Sequence, residues 1–323
     1  TAIVRGAGST WSNSAKLRVG VLGTGVLTIE DGGNVSNLQG VVGDFAGSNG
    51  TVAVRGVGSD WTNSSELLVG FEGMATLTIV TGGKVSNVEG SIGYVTGSNG
   101  MVSVAGDGST WTNSEVLNVG LSGTGLLSIA DGGSVSSLFA IIGRSAGSNG
   151  TAIVSGIGST WSSNGGLSVG AQGTGTLTIE AGGSVSNSFG IICDTPGSTG
   201  TANVTGAGST WANSSQLYVG RFGNGTLTIA AGGSVSNTNG FIGPFIGSTG
   251  LATVTGANSQ WMNSGNLTIG NSGTGTLNIE PGGTVSVAQD VALLPGGTLN
   301  LDGGTLDTAS VSFQGGGAFN FLG

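Results

Sequence analysis

The side chains here best suited to acid–base or metal chemistry are sixteen carboxylates, because the 323-residue sequence contains no histidine. Carboxylates cleave or bind polysaccharides when several gather on one face, often with Arg, Lys or calcium beside them. The spacing here does not gather them. Asp31 and Asp131 recur at one phase of a repeat but two whole copies apart, and Asp44 and Asp194 lie further apart still. Asp302 and Asp307 fall near the C-terminus with no basic residue close by. A Ser–His–Asp set is impossible without His. The Gly-rich turns lack the recurrent Asp of nonapeptide calcium repeats. The one thiol, Cys193, stands where other copies carry Gly43, Gly93, Gly143 and Gly243, with no base near it, and reads as a substitution for glycine rather than a nucleophile. The expectation is a chain that is not an enzyme, with no catalytic residue, no cofactor and no metal.

Aromatic rings are the other candidates. All six tryptophans, Trp11, Trp61, Trp111, Trp161, Trp211 and Trp261, recur at one fixed interval. An exposed row of them would stack on sugar rings, and a buried row would fill a wide corner of a core. The second reading is preferred.

What must position these residues is the repeat itself. A fixed period of about 50 residues signals a solenoid, propeller or array rather than a single globular core. Within each copy, apolar residues alternate with small polar ones, as in half-buried strands. Gly-Ser, Gly-Thr and Gly-Gly pairs punctuate them as turns. Each copy is also two related halves. Ala2–Arg5 matches 27–30, Trp11-Ser12-Asn13 matches Val35-Ser36-Asn37, and Val19-Gly20 matches Val42-Gly43. The offset shortens by one position from each of these matches to the next, so turn lengths differ while strands correspond.

The predicted fold is all-β: a right-handed parallel β-helix, or β-solenoid, with about 25 residues and three short strands per coil, and about 12–13 coils stacked at ~4.8 Å. A propeller blade of similar period would need longer antiparallel strands and no half-repeat. Six repeats over residues 1–285 are expected to form one continuous β-helix, with 286–323 as divergent terminal coils of the same solenoid. The expected structural ladders are the six Trp; Leu17, Leu67, Leu117, Leu167, Leu217 and Leu267; and Ile29, Ile79, Ile129, Ile179, Ile229 and Ile279. Val4 and its copies should alternate with the Ile series. Each Trp should alternate with a Val35-type residue, which puts two Trp roughly 9.6 Å apart, too far to stack. Asn13 and Asn37, with their copies, are expected at corners, bonded to backbone or to each other.

Composition narrows the function. Seven Lys plus Arg and a net charge of −9 exclude a basic stripe for nucleic acid or a polybasic membrane anchor. There is no apolar run long enough for a transmembrane helix. Hydrophobic residues at 37% suffice to fill an interior, while charged residues at 7% leave its faces nearly neutral. Arg5, Glu30 and Arg55 are expected to form a small exposed ion-pair ladder. The chain starts at Thr1 inside a repeat, as a trimmed product of something longer would.

Gly8-Ser9-Thr10-Trp11, Leu17-Arg18-Val19-Gly20, Gly23-Thr24-Gly25, Leu27-Thr28-Ile29, Gly32-Gly33-Asn34-Val35-Ser36-Asn37 and Gly47-Ser48-Asn49-Gly50 recur throughout. Together they resemble the repeat shared by type V secretion (T5SS, autotransporter) passengers and PEP-CTERM-associated surface proteins. Gly315-Gly316-Gly317-Ala318-Phe319-Asn320-Phe321 also looks like passenger stems. The resemblance implies an exported bacterial β-helix, extracellular or on the cell surface. It carries over no catalytic residue.

Three further functional readings follow. One is a structural surface stalk or filament subunit, a homo-oligomer joined through open coil ends. Another is an adhesin-type passenger binding glycans or host surfaces through the loops that vary most, Asp44-Phe45-Ala46, Tyr94-Val95-Thr96, Arg144-Ser145-Ala146, Asp194-Thr195-Pro196 and Pro244-Phe245-Ile246. A third is ice binding, suggested by Thr174, Thr176 and Thr178, but with columns interrupted by Asn224, Ser128 and Asn278. The stalk or filament is preferred.

Overall fold

Alternation of apolar and polar residues lets each strand bury one side only, and each strand finds its partner in the next half-repeat. In a computed structural model describing residues 1–322, Ala2–Arg5 lies parallel to Thr24–Glu30, with Ala2 level with Leu27 and Val4 level with Ile29. Thr24–Glu30 in turn pairs with Asn49–Arg55, Ile29 level with Val54. On the second face Trp11 is level with Val35, and Val35 with Trp61. On the third, Leu17 is level with Gly40, and Gly40 with Leu67. The result is a parallel β-solenoid with three strands per coil, each coil being half of the repeat seen in the sequence. Its pairings are parallel, which excludes the antiparallel blade. No helix occurs among the described residues, so none is long and apolar enough to cross a membrane.

The chain divides into two compact bodies, residues 1–163 and residues 164 onward. In the first body, first-face strands run from Ala2–Arg5 to Asn149–Ser155. In the second they run from Thr174–Glu180 to Ala318–Phe321. Each body has its own aliphatic interior. Leu27, Ile29, Val52, Val54, Leu77 and Ile79 are at most 1% exposed in the first. Leu177, Ile179, Val204, Leu227 and Ile229 are fully buried in the second.

Successive coils alternate between large and small at one corner. Trp61 and Leu67 lie in one coil, and Val35 and Gly40 in the coil before it. A Cβ on Gly40 would come within 2.8 Å of both Trp61 Cζ2 and Leu67 Cδ1, and closer still to Asn63 Oδ1. The tryptophan ring therefore occupies space that a glycine leaves open. This is why the true repeat takes two coils rather than one.

Near the C-terminus the geometry changes. Gly283–Leu293 pairs with Thr305–Phe313, with a register shift between Val287 and Asp290. The last coil step is shorter than those before it, with Leu299 level with Phe319, and most of 305–322 is half-buried or exposed.

Candidate functional site along the variable edge

The structure places the tryptophans inward. Trp61, Trp111, Trp161, Trp211 and Trp261 are at most 1% exposed, and only Trp11, in the first coil, reaches 38%. A buried indole must satisfy its N–H. Trp61 Nε1 donates to Asn37 Oδ1 at 2.7 Å, and Asn37 Nδ2 donates to Asn63 Oδ1 at 2.6 Å. The same Trp–Asn–Asn chain joins Trp111, Asn87 and Asn113. In the second body it joins Trp211, Asn187 and Asn213, and Trp261, Asn237 and Asn263. These rings have no face or edge free for a sugar. The Leu series runs from 6% exposure at Leu17 to 1% or less at Leu67, Leu117, Leu167, Leu217 and Leu267. Ile29, Ile79, Ile129, Ile179, Ile229 and Ile279 are fully buried.

One copy departs from this pattern. At Trp161 the accepting position is Ser137, and Trp161 Nε1 and Ser137 Oγ are both buried without a hydrogen-bond partner. Ala140 stands there in place of the glycine.

Chemically varied side chains collect instead on the edge where the third face turns into the first. Neighbouring coils pair there. In the first body, Arg18 meets Asp44 at 3.1 Å, with the Asp44 side chain only 6% exposed. Phe71 lies against Tyr94 with ring centroids 5.2 Å apart, and Arg144 Nη1 donates to Asn118 Oδ1 at 2.9 Å. In the second body, Arg221 pairs with Asp194 at 2.7 Å and lies over the rings of Tyr218 and Phe222. Tyr218 stacks on Phe241, and Phe222 on Phe245, each at 4.7 Å. The sequence marked these loops as variable. It did not show that variation at one coil is matched by variation at the next, because the partners lie a full coil apart along the chain.

The arrangement consumes its own chemistry. Sugar recognition uses the open face of a ring, and here Tyr218 and Phe241, like Phe222 and Phe245, each cover one face of the other. Arg18 and Arg221 are likewise neutralised by Asp44 and Asp194. In the second body an open groove of about 750 Å³ runs beside the corner between the second and third faces. Hydroxyls such as Ser214, Thr238 and Ser264 line it, and Asp307 is the only carboxylate among its lining residues. Among the described residues no three His, Cys, Asp or Glu side chains are grouped to hold a metal ion.

Three groups have shifted protonation. Burial pushes the Cys193 thiol up to about 11, although Ser198 and the backbone of Gly200 oppose it; Sγ donates to the Asn224 carbonyl at 2.8 Å. Burial also raises the Asp60 carboxyl, against the opposing pull of Lys84 and Thr62. Asp31 raises Arg5 by hydrogen bond and charge, with Glu30 adding to it. In the Arg5–Glu30–Arg55 ladder the two arginines are exposed, as expected, but the carboxylate between them is not. Glu30 is 8% exposed, because in-register stacking sets it between Arg5 at 3.5 Å and Arg55 Nε at 2.7 Å.

No family model matches the chain, and no curated protein matches it. Among solved structures it is similar to the crystal structure of a TibC-catalysed, hyper-glycosylated TibA fragment, with a TM-score of 0.57 and 17% identity over 99% of this chain and 94% of that one. At that identity the likeness is one of fold.

Proposed function

We propose that this is a non-enzymatic extracellular β-solenoid with a structural role, as a surface stalk or as a filament subunit stacking end to end. The observation that carries this reading is self-pairing along the variable edge. Its charged and aromatic groups are paired with a neighbour one coil away, as at Arg221–Asp194 and Tyr218–Phe241, instead of converging on a cavity. Such an edge stiffens a stack and offers little to a small substrate. The proposal assigns the repeats to residues 1–285 and the divergent coils to 286–323, and makes the Trp, Leu and Ile columns its structural ladders. Filament growth is supported by the repeat's own complementarity. Within each body one copy already stacks on another through parallel backbone ladders, and an unpaired coil edge can accept a further strand. Negative-stain microscopy with sedimentation velocity tests this. Fibres with a coil-spaced repeat support a filament, single rods at high concentration restrict the role to a stalk, and a catalytic turnover traced to the chain would sink the reading.

An adhesin-type passenger is the second reading, supported by variation concentrated on one edge over an invariant interior. Saturable binding on a glycan array that is lost in Arg221→Ala would favour it.

A further inference from the structure

The outward side of the first face in the second body is a regular grid of small polar side chains. Thr176, Thr201 and Thr226 are level on successive coils, and after Leu251 the column resumes with Thr276 and Thr298. The next column holds Thr178, Asn203, Thr228, Thr253, Asn278 and Asn300. At the strand starts a third holds Thr174, Thr199, Asn224, Thr249 and Thr274. These side chains are half-buried or exposed. Among the described residues, the threonine hydroxyls of these columns make no hydrogen bond to protein, apart from Thr253, which accepts from Asn278 at 3.5 Å. The parallel sheet fixes two repeats for the grid, ~4.8 Å from coil to coil and ~6.6 Å from one column to the next.

We propose that this face binds the ordered water of an ice surface. A grid regular in two dimensions is read by a partner that is itself a lattice, and the shorter oxygen repeat of the prism planes of ice lies close to the coil-to-coil spacing. Two rival partners fit less well. Packing the face against a second copy would bury a dozen hydroxyls, at about 1–3 kcal/mol for each one left without a partner; a water lattice gives each a partner. Crystalline polysaccharide presents flat sugar faces that call for aromatic rings, and these columns contain none. The same face of the first body is unsuited, since Arg55, Met74, Met101, Leu126 and Ile153 interrupt it. Of the interruptions noted in the sequence, Asn224 and Asn278 prove to be amides in register with the hydroxyls, as is Asn203, while Ser128 belongs to the first body. This activity is independent of the structural role proposed above.

Thermal hysteresis and ice-recrystallisation inhibition of the full chain test it. The unaltered protein should hold a gap between melting and freezing points and shape ice crystals. Thr226→Tyr, in the centre of the grid, should abolish both, while Met101→Tyr on the first body should leave both unchanged. Far-UV circular dichroism and melting curves identify any variant that fails to fold; Thr201→Tyr then serves as the second probe. Absence of hysteresis and of crystal shaping in the folded, unaltered chain overturns the proposal. So does activity that survives a folded Thr226→Tyr, or a face-to-face dimer dissolved by that substitution.

Discussion

Trp61 donates its indole N–H to Asn37 across one coil step, and Asn37 passes a bond on to Asn63. One amide thus satisfies two buried partners at the corner that holds the indole. The Asn87 amide does the same for Trp111 and Asn113. Replacing Asn87 by Ala orphans the Trp111 donor and the Asn113 acceptor together. At about 1–3 kcal/mol for each buried group left unpaired, the expected loss is about 2–6 kcal/mol. Ser137→Ala, at the equivalent position where no bond is made, should stay within about 1 kcal/mol of the parent. Urea denaturation of the two variants checks the contrast; equal losses would mean that the amide bonds contribute little.

The departure around Trp161 is a set of three linked changes. Where a glycine precedes the tryptophan coil, as at Gly90, a Cβ would collide with Asn113 Oδ1. Ala140 has that Cβ, and Ser163 replaces the asparagine it would strike. Ser137 completes the set. Ser163→Asn alone should therefore destabilise the protein. Combined with Ala140→Gly and Ser137→Asn it should raise stability above the parent, since Trp161 Nε1 gains an acceptor. The coupling should amount to about 0.5–3 kcal/mol in a mutant cycle read by chemical denaturation. Additive effects would refute the steric link.

Much of this was legible in the sequence, and the limits have a physical cause. The stepwise shortening of the offset between half-repeats is the strand register seen at Leu27, Val35 and Gly40. Period-two alternation told inside from outside at Val4 and Ile29. Ser137, Ala140 and Ser163 each break the repeat in the sequence. Their contact was not legible there, because it depends on which way a side chain leans between coils. The burial of Glu30 between two arginines was missed for the same reason. So was the self-pairing of the variable edge, since periodicity reports direction and not the neighbour one coil away.

Asp60 takes the place that threonine holds at Thr10, Thr110, Thr160 and Thr210. Its Oδ1 is buried without a hydrogen bond, and burial raises its folded pKa above the ordinary 3.8. A raised carboxyl binds its proton more tightly when folded. Its contribution to stability is thus fully present below pH 3.8 and is lost as pH rises through the folded value. Asp60→Thr should therefore be more stable than the parent at pH 7, with the advantage shrinking as pH falls towards 3. Melting temperatures of both proteins from pH 3 to 7 test this, and a constant difference across that range would reject the assignment.

Cys193 combines a left-handed backbone, φ 65°, with a buried thiol raised from 9.0 to about 11. The equivalent Gly43, Gly93, Gly143 and Gly243 have φ between 59° and 71°, a region where a side chain is strained. With its thiol protonated at neutral pH and out of solvent, the residue should resist alkylation in the native protein and react at once in denaturant. The sign of the pH effect follows from the raised value. Stability from this group is complete below pH 9 and falls away as pH rises towards 11. Cys193→Gly should remove that alkaline loss. At pH 7 it should lie within about 1 kcal/mol of the parent, because relief of the backbone offsets the lost bond to Asn224. Rapid labelling of the folded chain at pH 8, or an unchanged alkaline limb in the glycine variant, would show that the thiol is neither enclosed nor perturbed.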